Sequence, residues 1–256
     1  MNAMTSVAHL SSRLAAAGVM ALSALAAPAQ AAIVIQGTRV VFPADSREVT
    51  LRINNPSAAP VLVQSWVDDG HADVPPEQVR VPFVLAPSVS RVEPSKGMVL
   101  RISYTGEALP ADRESLFWLN VLEVPSKQEG AENVLQFAFR SRIKVFFRPV
   151  QLKDVDAAAA RLTWKLASVD RTDGKSGKQL AVQASNPTPY YVSFGFVEAT
   201  LDGKSVLVPG GMVAPLATQT IALPDTKPGN HAKASVRFEV INDYGGRSIE
   251  ERTLAN

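Results

Sequence analysis

An all-β fold, built as two sandwiches in tandem, is predicted by three features of this 256-residue chain. Apolar residues alternate with polar ones in short runs, clusters of turn residues separate the runs, and no amphipathic helical stretch lies between them. The 18 prolines favour short, rigid connections over long helices.

Residues 1–31 are set apart before the first strand. Arg13 precedes an apolar run from Leu14 to Ala27, and Ala29-Gln30-Ala31 is a small-x-small cleavage pattern. At about fourteen residues the run falls short of the roughly 20 that span a bilayer, so it reads as an export leader cleaved near Ala31. No other segment is long enough to be a transmembrane span.

From Ile33 to Arg148 the alternating runs are Val49/Leu51/Ile53, Val61/Val63 to Trp66, Val79/Val81/Phe83, Met98/Leu100/Ile102 and Leu116/Trp118 or Phe117/Leu119/Val121. Turns are expected at Pro43-Ala44-Asp45, Asn54-Asn55-Pro56, Asp68-Asp69-Gly70, Ser95-Lys96-Gly97 and from Gly106 to Pro110. About seven short strands at this spacing predict an antiparallel sandwich.

The last of these strands is the longest. Leu135, Phe137, Phe139, Ile143, Val145 and Phe147 occupy its odd positions, while Gln136, Arg140, Arg142, Lys144 and Arg148 occupy the even ones. At ~3.3 Å per residue, Leu135 to Arg148 would extend roughly 46 Å, more than twice a typical strand. One compact sheet cannot cover that length. Pro149 ends the ladder because it lacks an N–H. Ile143 to Phe147 are expected to be buried in their own domain, while the residues alone leave two readings of the first half: a core strand like the second, or a row of anchors, Leu135, Phe137 and Phe139, presented to a partner strand.

A polar, alanine-rich bridge, Gln151 to Ala160, separates this sandwich from a second all-β pattern. Its runs are Leu162/Trp164/Leu166, Leu180/Val182, Tyr190/Val192/Phe194/Phe196 against Tyr191/Ser193/Gly195, Val206/Val208, Thr220/Ala222 and Val236/Phe238/Val240. The expected domains are 32–152 and 158–256. Trp66, Trp118 and Trp164 are expected to be core aromatics.

Composition narrows the function classes. Without the leader, one cation is lost and 25 Lys and Arg face 24 Asp and Glu, a formal charge of +1, which offers no charge-based case for nucleic acid. There is no cysteine, so an exported chain must rely on its hydrophobic cores. Neither His71 nor His231 lies beside a nucleophile motif, so no enzyme activity is expected. Asp68, Asp69, His71 and Asp73 resemble a hard-metal cluster, but Asp-Asp-Gly is also ordinary turn composition, and no metal is expected.

Six ordered motifs carry a resemblance to a known family: Thr38 to Pro43, Gln64-Ser65-Trp66, Leu109 to Val121, Ser141 to Pro149, Asn186 to Tyr191 and Ile241 to Gly245. Together they make the chain resemble the periplasmic chaperones of chaperone-usher pilus assembly. The resemblance implies two immunoglobulin-like β-sandwiches set at an angle with a cleft between them. It implies that the protein binds pilus subunits by donor-strand complementation, prevents their aggregation and delivers them to an outer-membrane usher, without ATP or any cofactor. By position, Arg39 and Lys144 match the cations that grip a subunit's terminal carboxylate. Leu135, Phe137 and Phe139 match the groove-filling residues, and Glu114, Arg148 and Asp243 match an interdomain ionic network. Whether free chaperone caps itself by dimerising is left open by the sequence.

The physics agrees with this reading. A subunit sandwich missing a strand exposes an apolar slot and unpaired backbone groups, both aggregation hazards. Three anchors at about 1.5–3 kcal/mol each give roughly 5–9 kcal/mol of gross burial before ordering costs. A fixed carboxylate sets register, since a one-residue slip turns every anchor away. Phe137 and Phe139 are bulkier than the aliphatic residues common in the family and imply roomy subunit pockets. The loop Ala86 to Pro94 lacks the family's double proline, and the short Ser126–Asn133 connection is similar to the subclass that builds rod-like pili. The competing reading is a secreted two-domain structural or adhesive module in which the long strand pairs with itself.

Overall fold

The structure is a computed structural model that describes residues 33–126, 136–171, 176–229, 231 and 233–254. The first sandwich comprises β1 (Val34–Ile35), β2 (Arg39–Pro43), β3 (Glu48–Asn55), β4 (Val61–Asp68), β5 (Phe83–Ala86), β6 (Val89–Val92), β7 (Lys96–Tyr104), β8 (Ser115–Pro125) and β9 (Phe139–Arg148). One sheet runs β1-β3-β7-β5 and the other β2-β9-β8-β4-β6. Their facing rows, including Phe42, Ile53, Leu100, Leu119 and Val145, are buried. Aromatic rings lock one end of this core, with Phe83 edge-on to Phe117 at 4.9 Å and Tyr104 against Phe147 at 4.7 Å. Of the two parities considered for β8, Phe117/Leu119/Val121 faces inward.

The bridge forms two 3₁₀ turns, Val155–Ala157 and Ala159–Arg161. Beyond it lie β10 (Thr163–Asp170), β11 (Lys178–Ser185), β12 (Val192–Leu201), β13 (Lys204–Pro209), β14 (Met212–Val213), β15 (Thr218–Ala222), β16 (Ala234–Ile241) and β17 (Arg247–Thr253). A β10-β11-β15 sheet packs on a β13-β12-β16-β17 sheet, with β14 added to β12. Trp164 fills the second core, its ring 4.8 Å from Phe238 and 5.6 Å from Phe194. Among the described residues no helix is long and apolar enough to cross a membrane.

Several expectations are corrected. The long strand starts at Phe139, not Leu135, because the β8 ladder ends at the Glu123–Phe139 pair and β8 itself stops at Pro125. Gln136 to Ala138 are outside any strand, and Leu135 lies outside the described residues, as does most of the Ser126–Asn133 connection. Val79 and Val81 precede β5 rather than belonging to it, since Pro82 cannot donate to a ladder. The Ala86–Pro94 loop contains a strand, β6, that pairs with β4.

Phe196 leaves the inward row of β12 because a bulge between Phe194 and Val197 reverses the parity, so that Val197 and Ala199 are buried instead. Gly210 approaches this irregularity so closely that a Cβ would sit 2.1 Å from the Phe194 carbonyl oxygen. The edge strand β17 was invisible to an apolar pattern because its sequence is Arg-Ser-Ile-Glu-Glu-Arg-Thr.

Candidate functional site

Two tryptophans are not core residues. Trp66 and Trp118 lie on the outer face of the β9-β8-β4 sheet, beneath the guanidinium groups of Arg140 at 4.7 Å and Arg142 at 4.9 Å. The reason is parity: buried Val63, Ser65 and Val67 take the inward row of β4, and Phe117 and Leu119 take that of β8. The even side of β9 is therefore not simply solvated. It packs on these rings and on a buried carboxylate, Asp68, which accepts Arg142 Nη2 at 2.7 Å and also the Gly70 N–H of its own turn at 2.7 Å.

At its other end this row enters a cleft between the sandwiches. Arg39 on β2 and Lys144 on β9 are paired in the parallel register. That adjacency brings two cations together on neighbouring strands. Arg39 Nη1 donates to the Ile241 carbonyl at 2.9 Å, and its Nε is buried with no hydrogen-bond partner among the described residues. Lys144 Nζ donates to Ser193 Oγ at 3.0 Å. Burial, then the neighbouring Arg39 charge, brings the Lys144 ammonium down to about 8. Burial lowers Arg39 as well, opposed by Asp243. Two half-desolvated cations with an unfilled donor make a ready anion site.

Arg148, four residues along β9 from Lys144, joins the two halves of the chain. Its Nε donates to Glu114 Oε1 at 2.7 Å, and its Nη1 and Nη2 donate to the Asp243 carboxylate at 2.6 and 3.0 Å. Glu114 is only 3% exposed, and its second oxygen accepts the Tyr191 N–H at 2.8 Å. Burial pushes the Glu114 carboxyl up while Arg148 pulls it back; burial also draws Arg148 down, but the hydrogen bonds and charges of Asp243 and Glu114 outweigh it and hold Arg148 above its ordinary value. Phe146 is buried on the even side of β9 because Tyr191 of the second half covers it, ring to ring at 5.7 Å. Gly245, at φ +80, turns so close to Thr38 that a Cβ would sit 2.7 Å from the threonine hydroxyl.

The other anticipated residues lie at the far end of β9. Phe137 and Phe139 are 60% and 43% exposed, with rings 6.4 Å apart. β2 pairs with β9 only from Lys144 to Arg148, so from Phe139 to Ile143 the strand has β8 on one side and no β2 on the other. An open strand edge with exposed aromatics thus runs up to the two-cation cleft. Sequence reasoning missed the roles of Ser193, Phe146, Tyr191, Asp68 and Asn120. Their signal lies in pairing between strands, not in any single run.

The family model for the pili and flagellar-assembly chaperone PapD N-terminal domain matches residues 32–153, and that for the pili assembly chaperone PapD C-terminal domain matches residues 157–252. Chaperone protein FimB/FhaD of Bordetella pertussis is 41% identical over 249 residues, covering 94% of this chain and 96% of that protein. The crystal structure of the Pseudomonas aeruginosa CupB2 chaperone is 53% identical, with a TM-score of 0.71, over 87% of this chain and 100% of that one. The SafB chaperone, solved in complex with the Salmonella enterica SafA pilin, is 30% identical, with a TM-score of 0.69, over 89% of this chain and 99% of the matched one.

Proposed function

The chain belongs to the pili and flagellar-assembly chaperones of the PapD type, and from that membership we propose that it captures pilus subunits by lending them a strand. The family is one of chaperones, not enzymes, and the similarity to a chaperone solved with its pilin favours this reading over a secreted structural module. The observation that carries the mechanism is the half-open edge of β9, which ends at Lys144 beside Arg39.

In this mechanism a subunit's last strand adds to the free edge at Phe139–Ile143, and its terminal carboxylate meets Arg39 and Lys144. Ser193 is the hydroxyl from which Lys144 turns to that carboxylate. Leu135, Phe137 and Phe139 enter the slot that the subunit's missing strand leaves open. Glu114, Arg148 and Asp243 fix the angle between two chaperone domains, 32–152 and 158–256. Arg148 suits this role because its planar fork satisfies two carboxylates from different domains at once. The protein works in the periplasm after its leader is removed near Ala31, passes subunits to an outer-membrane usher, and shields the same edge when free by self-capping as a dimer.

Coexpression with small, β-rich secreted subunits followed by native mass spectrometry tests the proposal. Equimolar complexes are expected for wild type and are lost in Arg39→Ala and Lys144→Ala, with both variants folded. Normal copurification of subunits with both variants overturns the carboxylate mechanism. Recovery of the protein in fibres without subunits overturns the chaperone reading.

A further inference from the structure

The half of β9 offered to a subunit is the half with least support. From Lys144 to Arg148 it has neighbours on both sides, but from Phe139 to Ile143 it pairs, among the described residues, with β8 alone. A strand with a single neighbour and exposed apolar side chains tends to fray or to fold back onto its own surface. Its odd side chains restrain it little, because Phe139 and Ser141 are exposed and Ile143, at the end of the segment, is only half-buried. The restraint comes from the even ones.

Arg140 Nε and Arg142 Nε both donate to Asn120 Oδ1, at 2.8 and 3.0 Å. Arg142 Nη2 donates to both oxygens of Asp68, at 2.7 and 3.0 Å, and Arg140 Nη2 reaches the same carboxylate at 3.5 Å. Asn120 Nδ2 donates to Asp68 at 2.7 Å, and Arg140 Nη1 donates to the Ala72 carbonyl at 2.7 Å. Trp66 and Trp118 form the floor beneath the two guanidinium groups. Asp68 and Asn120 are both fully buried. β9 is thereby tied across β8 to β4 and to the loop after it.

A buried carboxylate with its amide is an expensive way to stabilise a sheet, since apolar pairs of similar volume serve as well or better. Its position explains it. The clamp grips only Arg140 and Arg142, inside the segment that β2 leaves uncovered, and it leaves the opposite row free. We infer that Asp68, acting with Asn120, is a positioning residue that holds the lending half of β9 extended and in register before a subunit arrives. Pre-ordering the strand removes part of the ordering cost of association. The inference rests on the capture function proposed above.

Hydrogen exchange on the free protein tests the clamp without any ligand. Asp68→Asn keeps the size and removes the charge. Arg140→Met keeps the stem over Trp66, removes its bonds to Asn120, Asp68 and the Ala72 carbonyl while leaving the buried Asp68–Arg142 pair intact, and serves if the first variant folds poorly. In each variant, amide exchange over residues 139–143 should accelerate about tenfold or more while the β3–β7 ladder keeps its protection. A 16-residue alternating Val/Thr peptide with a free carboxyl terminus, which mimics a subunit's last strand, should associate about tenfold more slowly. At saturation it should restore protection. Unchanged exchange over 139–143 in both variants overturns the inference, as does accelerated exchange with unchanged association. Failure of the wild type to bind either peptide or subunits counts against the capture function itself, and the exchange measurement still decides the clamp.

Discussion

Subunit capture should weaken as pH rises through the value of Lys144. Burial and the adjacent Arg39 charge place that ammonium at about 8 in the free protein. A carboxylate seated between the two cations favours the charged form and returns it toward the ordinary lysine value of about 10.4. Binding is then accompanied by proton uptake above pH 8. With those two values, affinity for a peptide ending in a free carboxylate falls about tenfold between pH 7 and pH 9. Stability of the free protein moves the other way. Because the folded value lies below the unfolded one, the unfolded chain holds more protons between pH 8 and about 10.4, and this group's contribution to stability rises through that window. The assay is fluorescence anisotropy of the labelled Val/Thr peptide against pH, with Lys144→Arg as the control that stays charged. A flat wild-type profile, or an equal decline in Lys144→Arg, would refute the reasoning.

Other perturbations give distinct outcomes. Arg148→Ala strands the buried Glu114 carboxylate and should cost about 3–5 kcal/mol in urea unfolding, whereas Asp243→Ala, at a more exposed carboxylate, should cost clearly less; equal losses would contradict the geometry. Phe139→Ala should weaken subunit binding by about 1.5–3 kcal/mol yet leave the melting temperature of the free chain unchanged, because the ring is already 43% exposed. A matching drop in melting temperature would mean that the ring packs at home. Phe139→Leu should bind native subunits no more tightly than wild type if their pockets are roomy. Gly210→Ala drives a Cβ into the Phe194 carbonyl and should destabilise the second sandwich by more than about 1 kcal/mol, read by thermal unfolding of that half.

The apolar rows of β3, β7, β11 and β16 were legible because their inward residues recur at every second position. The exposed row of Phe137 and Phe139 and the cationic row of Arg140, Arg142 and Lys144 were legible in the same way. Trp66 and Trp118 were misjudged because a large aromatic on the outer face of a sheet looks, within its own run, like one on the inner face. Only the arginines brought over them from β9 give them their place. Phe146 was passed over on the polar row because Tyr191, which covers it, is 45 positions away in the chain.

Side-chain alternation is a property of one strand, so the chain alone determined two β-sandwiches, their core rows and a strand with one apolar and one cationic face. Strand neighbours are chosen across long separations, so the tertiary structure decided where β2 stops covering β9, which buried carboxylate grips the uncovered part, and how Arg39, Lys144 and Ser193 meet. A half-open edge is a relation between three strands, and no single run of residues can encode it.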